Sequence, residues 1–135
     1  MFYDFAITIP AGTTEANPVE QVLELTHGII HRVEVEFRSG TDFRVACRIY
    51  RFEHQIYPTN PDGDFRGDGR AIVFDDHYEL LDEPYTLRVE GYSPTASYEH
   101  TIYIRIGILS PEVLQPFAGL GGLFRKFFKL VGIGK

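Results

Sequence analysis

The feature that most constrains this sequence is an alternation of apolar and polar residues with a period of two, which recurs up to residue 109. The clearest case is the segment HTIYIRIGIL, in which Tyr103 and Arg105 interrupt a row of isoleucines. That row is Ile102, Ile104, Ile106 and Ile108. Side chains of a strand point alternately to its two faces, so this pattern predicts a strand that is buried on one side.

Similar segments predict about eight strands, separated by turn-forming stretches such as PAGTTEANP and SPTASY. The predicted strands are residues 2–9, 19–26, 29–37, 43–52, 71–76, 78–82, 85–92 and 100–109. Eight short strands without intervening helices favour an all-β protein, an antiparallel β-sandwich of two sheets. Their number favours an eight-stranded jelly roll over a seven-stranded immunoglobulin-like topology.

The alternation also predicts which side chains are buried in two of these strands. In residues 29–37 the apolar face is Ile29, His31, Val33, Val35 and Phe37. In residues 43–52 it is Phe43, Val45, Cys47 and Ile49. Cys47 is the only cysteine, so an intrachain disulfide is impossible, and its place on this face predicts a small buried hydrophobe.

The last residues, GLGGLFRKFFKLVGIGK, have a different pattern with a period near 3.6. One side of the helical projection is apolar: Leu120, Leu123, Phe124, Phe127, Phe128 and Val131. The opposite side is basic: Arg125, Lys126 and Lys129. Glycines weaken the first turn, so a short amphipathic helix is predicted from about Leu123. The predicted organisation is therefore a β-sandwich domain over 1–110, followed by a linker and amphipathic anchor over 111–135.

Charge divides the chain in the same way. Residues 117–135 carry four cations and no acid, whereas nine arginines against 19 acids leave the remainder at −10. Binding to nucleic acid requires clustered positive charge, so the acidic body makes nucleic acid an unlikely partner. A short helix needs a surface to lie on. Three surfaces are possible for the anchor: its own sandwich, a groove of a neighbouring subunit or partner, or an anionic membrane surface.

No targeting signal is evident, because the first residues lack a basic region and a continuous apolar stretch. No apolar run approaches the length of about 20 residues that a membrane span requires. The expected location is therefore the cytoplasm of the cell that makes the protein, unless it leaves as part of a larger particle.

The sequence contains no nucleophile elbow, phosphate-binding loop or dinucleotide fingerprint, so we expect neither enzymatic activity nor a cofactor. Its five histidines do not have the spacing of a metal site, and no metal is expected.

The longest irregular segment, 54–70, is a possible ligand loop. Its candidate residues are Tyr57, Asp62, Asp64, Arg66 and Asp68. The three aspartates have the chemistry of a calcium site, although solvated turn acids explain the same residues and are the favoured interpretation. Arg66, Gly67 and Asp68 form an adhesion-type tripeptide, and six aromatic residues offer rings for stacking on a glycan. These rings belong to Tyr50, Phe52, Tyr57, Tyr92, Tyr98 and Tyr103.

Three stretches, RIYRFEHQIYPTNPDGDF, YELLDEPYTLRVEGY and HTIYIRIGIL, make the chain resemble small structural proteins of bacteriophage virions. Those proteins are capsid decoration and minor capsid proteins of the single jelly-roll type. The resemblance implies a non-enzymatic virion protein that forms a homo-oligomer, such as a trimer, on a capsid or other large assembly. The C-terminal segment is not a general property of such proteins. A carbohydrate-binding or adhesion module and a structural protein attached to a membrane surface are the alternatives.

Overall fold

The computed structural model describes residues 1–111, which form nine strands in two antiparallel sheets. In chain order the strands are β1 (Phe2–Ile9), β2 (Val19–Glu24), β3 (Gly28–Phe37), β4 (Ala46–Arg51), β5 (His54–Tyr57), β6 (Phe65–Arg66), β7 (Arg70–Leu80), β8 (Thr86–Tyr92) and β9 (His100–Leu109). Sheet I has the order β1-β9-β3-β7, and sheet II has the order β2-β8-β4-β5, with β6 also paired to β4. The predicted all-β antiparallel sandwich is confirmed.

The core lies between the two sheets, because each strand turns its apolar face inward. Ile102, Ile104, Ile106 and Ile108 of β9 are all fully buried, as the alternation predicted. Val89 of β8 and Ile49 of β4 reach the same core from sheet II. Branched residues pack well on a pleated surface, and here they supply most of the buried contacts.

A bulge in β3 changes the face predicted for its first residues. The pairing of β3 with both neighbours shifts between Ile30 and Arg32: His31 is the additional residue against β9, whereas two residues of β7, Asp76 and His77, lie opposite it. Ile30 therefore joins the fully buried core, which the alternation from Ile29 had not predicted. His31 is half-buried, and its ring lies over Gly107, where a Cβ atom would be 2.7 Å from Nε2.

Two other predictions about strands are corrected. Residues 71–76 and 78–82 were predicted as separate strands, but β7 runs continuously through Arg70–Leu80. Phe43 was predicted to face the core, but β4 begins only at Ala46 and the Phe43 side chain is exposed. Asp42 and Phe43 both have positive φ, at 49° and 57°, so this loop leaves the strand conformation before the Phe43 side chain can turn inward.

Segment 54–70 is not the irregular loop that was predicted, because it contains β5 and β6. Both strands pair with β4, and the chain then passes to sheet I as β7. The predicted amphipathic helix lies outside the described residues, as does nearly all of the predicted 111–135 segment.

Candidate functional site

The predicted ligand loop is the crossing from sheet II to sheet I, and side chains from sheet II hold it in place. The Arg48 guanidinium donates from Nε to the Gly63 carbonyl at 3.0 Å and from Nη2 to Glu15 Oε1 at 2.7 Å. Gln55 Nε2 donates to the carbonyls of Pro58 at 2.7 Å and Gly63 at 3.1 Å. These donors satisfy backbone carbonyls that no ladder reaches, so they fix the conformation of the crossing.

Asp64 is the acid that is most involved in this network. Its two carboxylate oxygens accept from Nε and Nη2 of Arg66, both at 3.1 Å, and the Tyr92 hydroxyl donates to Oδ2 as well. Burial alone would raise the pKa of the Asp64 carboxyl, but the hydrogen bonds from Arg66 and Tyr92 and the charge of Arg48 bring this pKa below its ordinary value. Burial and the hydrogen bond to Asp64 raise the pKa of Tyr92.

The lowered pKa predicts how Asp64 contributes to stability. A carboxyl whose pKa is lower in the folded state stabilises the protein above its unfolded pKa of about 3.9, and this stability is lost as pH falls through the folded value. We expect Asp64→Asn to lower the free energy of unfolding at pH 7, with a difference from the wild type that shrinks below about pH 4. Urea titrations between pH 2 and pH 7 measure it.

Asp62→Asn is the matched control for Asp64→Asn, because Asp62 is exposed and contributes only its main-chain carbonyl to the Arg48 network. It should leave the pH dependence unchanged. A constant difference between Asp64→Asn and the wild type over the whole pH range would contradict the assigned role of the carboxylate.

The adhesion-type tripeptide is also part of the scaffold. The Arg66 side chain binds Asp64 and donates to the Phe43 carbonyl at 3.2 Å. Gly67 is buried, and its carbonyl accepts from the buried Thr41 hydroxyl at 2.6 Å. Asp68 Oδ1 accepts from the Gly40 N–H at 2.9 Å. These contacts join the end of segment 54–70 to the β3–β4 loop.

Tyr57 closes one side of the sandwich. Its ring is 4% exposed, and its hydroxyl donates to Asp76 Oδ2 of β7 at 2.6 Å, which links the two sheets. The ring packs edge-on against Phe74 at 5.1 Å and Tyr78 at 6.3 Å between centroids. Burial and the Asp76 carboxylate raise the pKa of Tyr57. A shallow groove of about 260 Å³ runs beside this cluster.

The structure therefore does not bring the five predicted loop residues together in one site. Asp64 and Arg66 are partners, whereas Tyr57 and Asp68 contact different strands and loops. Within residues 1–111 no group of three or more His, Cys, Asp or Glu side chains has the arrangement of a metal site. The predicted anchor residues all lie outside the described residues.

Most of the aromatic rings considered for glycan stacking are covered. Tyr57 and Tyr92 are 4% and 2% exposed. The Arg88 guanidinium lies 4.7 Å from the Tyr50 ring centroid, and the Arg38 guanidinium lies 4.5 Å from that of Tyr103. The other two rings are exposed and belong to Phe52 and Tyr98. Arg51 lies over the Phe52 ring at 4.3 Å, and the Tyr98 ring lies 4.4 Å from His100.

Sequence reasoning missed Arg48, Gln55 and Asp76, which help to organise this region, and it considered Tyr92 only as a stacking ring. The alternation in residues 43–52 implies only that Arg48 faces away from the core. Its contacts are made with loops 33 and 15 residues away along the chain, so no local pattern reveals them. The buried Cys47 thiol next to Arg48 was predicted correctly, and burial raises its pKa, which opposes formation of the reactive thiolate.

Comparisons with known proteins give likenesses only among solved structures. No protein-family model matches the chain, and no curated protein matches it. Among solved structures, the chain is similar to a protein from Bacillus endospore appendages, described as a family of disulfide-linked pili. The identity is 12%, the match covers 81% of this chain and 88% of that chain, and the TM-score is 0.33. At these values the likeness says nothing about function, and the resemblance to phage virion proteins stays a prediction.

The described residues contain no helix with the length and apolar character needed to cross a membrane.

Proposed function

We propose that this chain is a non-enzymatic structural protein that self-associates and attaches to a larger assembly through its C-terminal segment. The observation that carries the proposal is the use of the polar side chains in segment 54–70. Asp64, Arg66 and Asp68 satisfy other protein groups and hold the crossing between the sheets. The segment with the most candidate ligand-binding residues in the sequence thus uses its polar side chains to support the scaffold.

The strand order supports a jelly roll as the finer description of the sandwich. With β5 and β6 counted as one interrupted strand, the eight strands have the order 1-8-3-6 in sheet I and 2-7-4-5 in sheet II. Strands 1 to 4 alternate between the sheets, and strands 5 to 8 return beside them, so two Greek-key connections are nested in each other. This fold would serve as a rigid unit that presents sheet edges and end loops to neighbours.

The assembly that we propose is a bacteriophage virion, in which the chain would be a capsid decoration or minor capsid protein. The sequence resemblance in three stretches and the separation of charge support this part of the proposal. A segment of charge +4 following a body of charge −10 suits attachment of the C-terminal apolar stripe to a neighbouring subunit or partner. The same stripe with basic flanks also suits a membrane surface, which is the second candidate.

The attachment is tested by changing Phe124, Phe127 and Phe128 together to Ser in the full chain. Each buried Phe contributes about 1.5–3 kcal/mol to burial of the stripe, so attachment should be lost while the fold is kept. The measurement is density-gradient fractionation of particles from the native source, followed by immunodetection of the chain. The wild type should sediment with particles, and the triple variant should remain in the soluble fractions.

Changing the exposed Phe43 and Phe52 to Ser is the matched control, because it removes apolar rings from the sandwich and leaves the anchor intact. Full particle occupancy by the triple variant would refute the proposed attachment. Flotation with vesicles of phosphatidylglycerol and phosphatidylcholine separates the candidates. Binding to these vesicles that is lost in the triple variant, without particle association of the wild type, would favour the membrane-surface alternative.

A further inference from the structure

Within residues 1–111, sheet I has one edge strand, β1, without the usual protection against pairing with another chain. Edge strands are commonly blunted by bulges, charges, proline or short length. β7 has the bulge opposite His31 and the consecutive acids Asp75 and Asp76. β1 is eight residues long, keeps an unbroken register with β9, and contains one charged residue, Asp4. Within the described residues β1 pairs on one side only.

The hydrogen bonds to β9 show which residues of β1 face its free edge. Met1 and Ile108 exchange both backbone hydrogen bonds, each at 2.7 Å. Backbone groups alternate in direction along a strand, so odd-numbered residues of β1 bond to β9. The residues that direct N–H and C=O groups to the free edge are Phe2, Asp4, Ala6 and Thr8.

We propose that this edge pairs with β1 of a second copy of the chain, antiparallel and about a two-fold axis, with Phe5 opposite Phe5. The inference rests on the proposed self-association and names its contact. In this register Asp4 lies opposite Ala6 and Phe2 lies opposite Thr8. Every outward-facing residue of β1 then has a partner, and the two copies share one continuous sheet. A two-fold contact gives even-numbered assemblies, in place of the trimer that the resemblance implied.

Charge and backbone chemistry favour this register over its two neighbours. Shifting the pairing by two residues in one direction places Asp4 opposite Asp4, and directly opposed like charges are destabilising. Shifting it in the other direction places Phe2 opposite Pro10, which has no N–H to donate. In the proposed register the Asp4 carboxylate keeps its own-chain partner, Arg105 Nε, at 3.4 Å.

The side chains of β1 also fit a second copy. Tyr3 and Phe5 on the inner face are half-buried and stacked, with ring centroids 6.1 Å apart and planes 3° from parallel. The proposed pairing places Ile7 of the second copy beside Tyr3 and a second Phe5 ring beside this stack. On the outer face it covers Phe2, which is 57% exposed. Aromatic and branched cross-strand pairs are among those that stabilise sheets.

The test uses three full-length variants and sedimentation velocity over a range of protein concentrations. Ala6→Asp places a carboxylate opposite Asp4 twice in each dimer, and we expect dimerisation to weaken about tenfold. Ala6→Lys places an ammonium there and should leave the dimer as strong as in the wild type or stronger. Ala71→Asp is the matched control, because Ala71 is an exposed alanine on β7, the other edge of the same sheet, and it should not change dimerisation.

Each contrary result has a distinct meaning. Equal weakening by Ala6→Asp and Ala71→Asp overturns the β1 contact. Weakening by both Ala6→Asp and Ala6→Lys, but not by Ala71→Asp, overturns the proposed register, because it indicates that Ala6 lies opposite Ala6. If both Ala6 variants self-associate as strongly as the wild type, this inference is overturned but the proposed function is not. If the wild-type chain is monomeric at every concentration, self-association itself is refuted. This is the result expected if the C-terminal segment covers β1. As a check independent of variants, amide exchange at Ala6 and Thr8 should slow as concentration rises.

Discussion

Replacing Ile104 by Ala is expected to lower the free energy of unfolding by about 2–5 kcal/mol. Ile104 is fully buried in β9, which pairs with both β1 and β3, so its side chain lies in the middle of sheet I. The loss combines the transfer free energy of the missing methyl groups with the cavity left between two sheets that cannot close on it. Urea unfolding followed by tyrosine fluorescence measures the change.

Two controls show whether the effect belongs to the core. Ile104→Val removes a single methylene and should cost about 0.5–1.5 kcal/mol. Val73→Ala truncates a side chain of β7 that is 45% exposed, and it should change the free energy of unfolding by about 0.5 kcal/mol or less. An Ile104→Ala variant as stable as Val73→Ala would mean that Ile104 is not packed between the two sheets.

The second large effect is expected from Arg48→Met, which keeps most of the apolar stem but removes the guanidinium. The Gly63 carbonyl loses the nearer of its two donors, at 3.0 Å, Glu15 loses its 2.7 Å ion pair, and the Tyr92 ring loses one of the two guanidinium groups near it. Hydrogen bonds that involve a charged group contribute about 1.5–3 kcal/mol, so the free energy of unfolding should fall by about 2–3 kcal/mol. Amide exchange in 58–64, between β5 and β6, should accelerate more than exchange in the strands of sheet II.

Arg88→Met is the matched control, because Arg88 is also a half-buried arginine stacked on a tyrosine of sheet II. Its ion pairs are with Glu90 in its own strand and with the exposed Glu53. Neither partner belongs to segment 58–64, so exchange in 58–64 should stay the same. Equal acceleration of exchange in 58–64 by the two variants would contradict the specific role of Arg48 in holding the crossing.

These contacts connect the fold with the proposed function. Arg48, Gln55 and Tyr92 use their polar groups to fix segment 54–70, and Tyr57 uses its hydroxyl to link β5 with β7. A scaffold held in this way can present edges and termini to neighbours without rearranging. The free edge of β1 and the C-terminal segment are the two features that we propose for assembly.

Much of the fold could be predicted from the sequence, because the long strands bury one face each. The segment 100–109 was predicted with its bounds and its buried isoleucines, and 2–9 was predicted with its bounds. The errors have physical causes. The bulge at His31 breaks the period, the left-handed backbone at Asp42 and Phe43 ends the pattern before β4, and β5 and β6 are too short for periodicity to register.

The candidate site was less predictable than the strands. Asp62, Asp64 and Asp68 were selected because acids cluster in a segment rich in proline and glycine. In the structure Asp64 accepts a hydrogen bond from Tyr92, 28 residues away, and Asp68 accepts one from Gly40, also 28 residues away. Nothing in the local composition distinguishes a carboxylate that accepts a hydrogen bond from a distant residue from one that is free to bind a ligand.

The sequence by itself determined that the body is a sandwich of antiparallel strands and that the C-terminal segment has a different character, since both follow from local periodicity and charge. Only the tertiary structure decided the strand order, the use of the 54–70 polar groups and the identity of the unprotected edge. Those properties depend on contacts between residues far apart in the chain. A strand of eight alternating residues has the same sequence pattern at the centre of a sheet as at its edge. Only the pairing between strands shows that β1 is an edge strand.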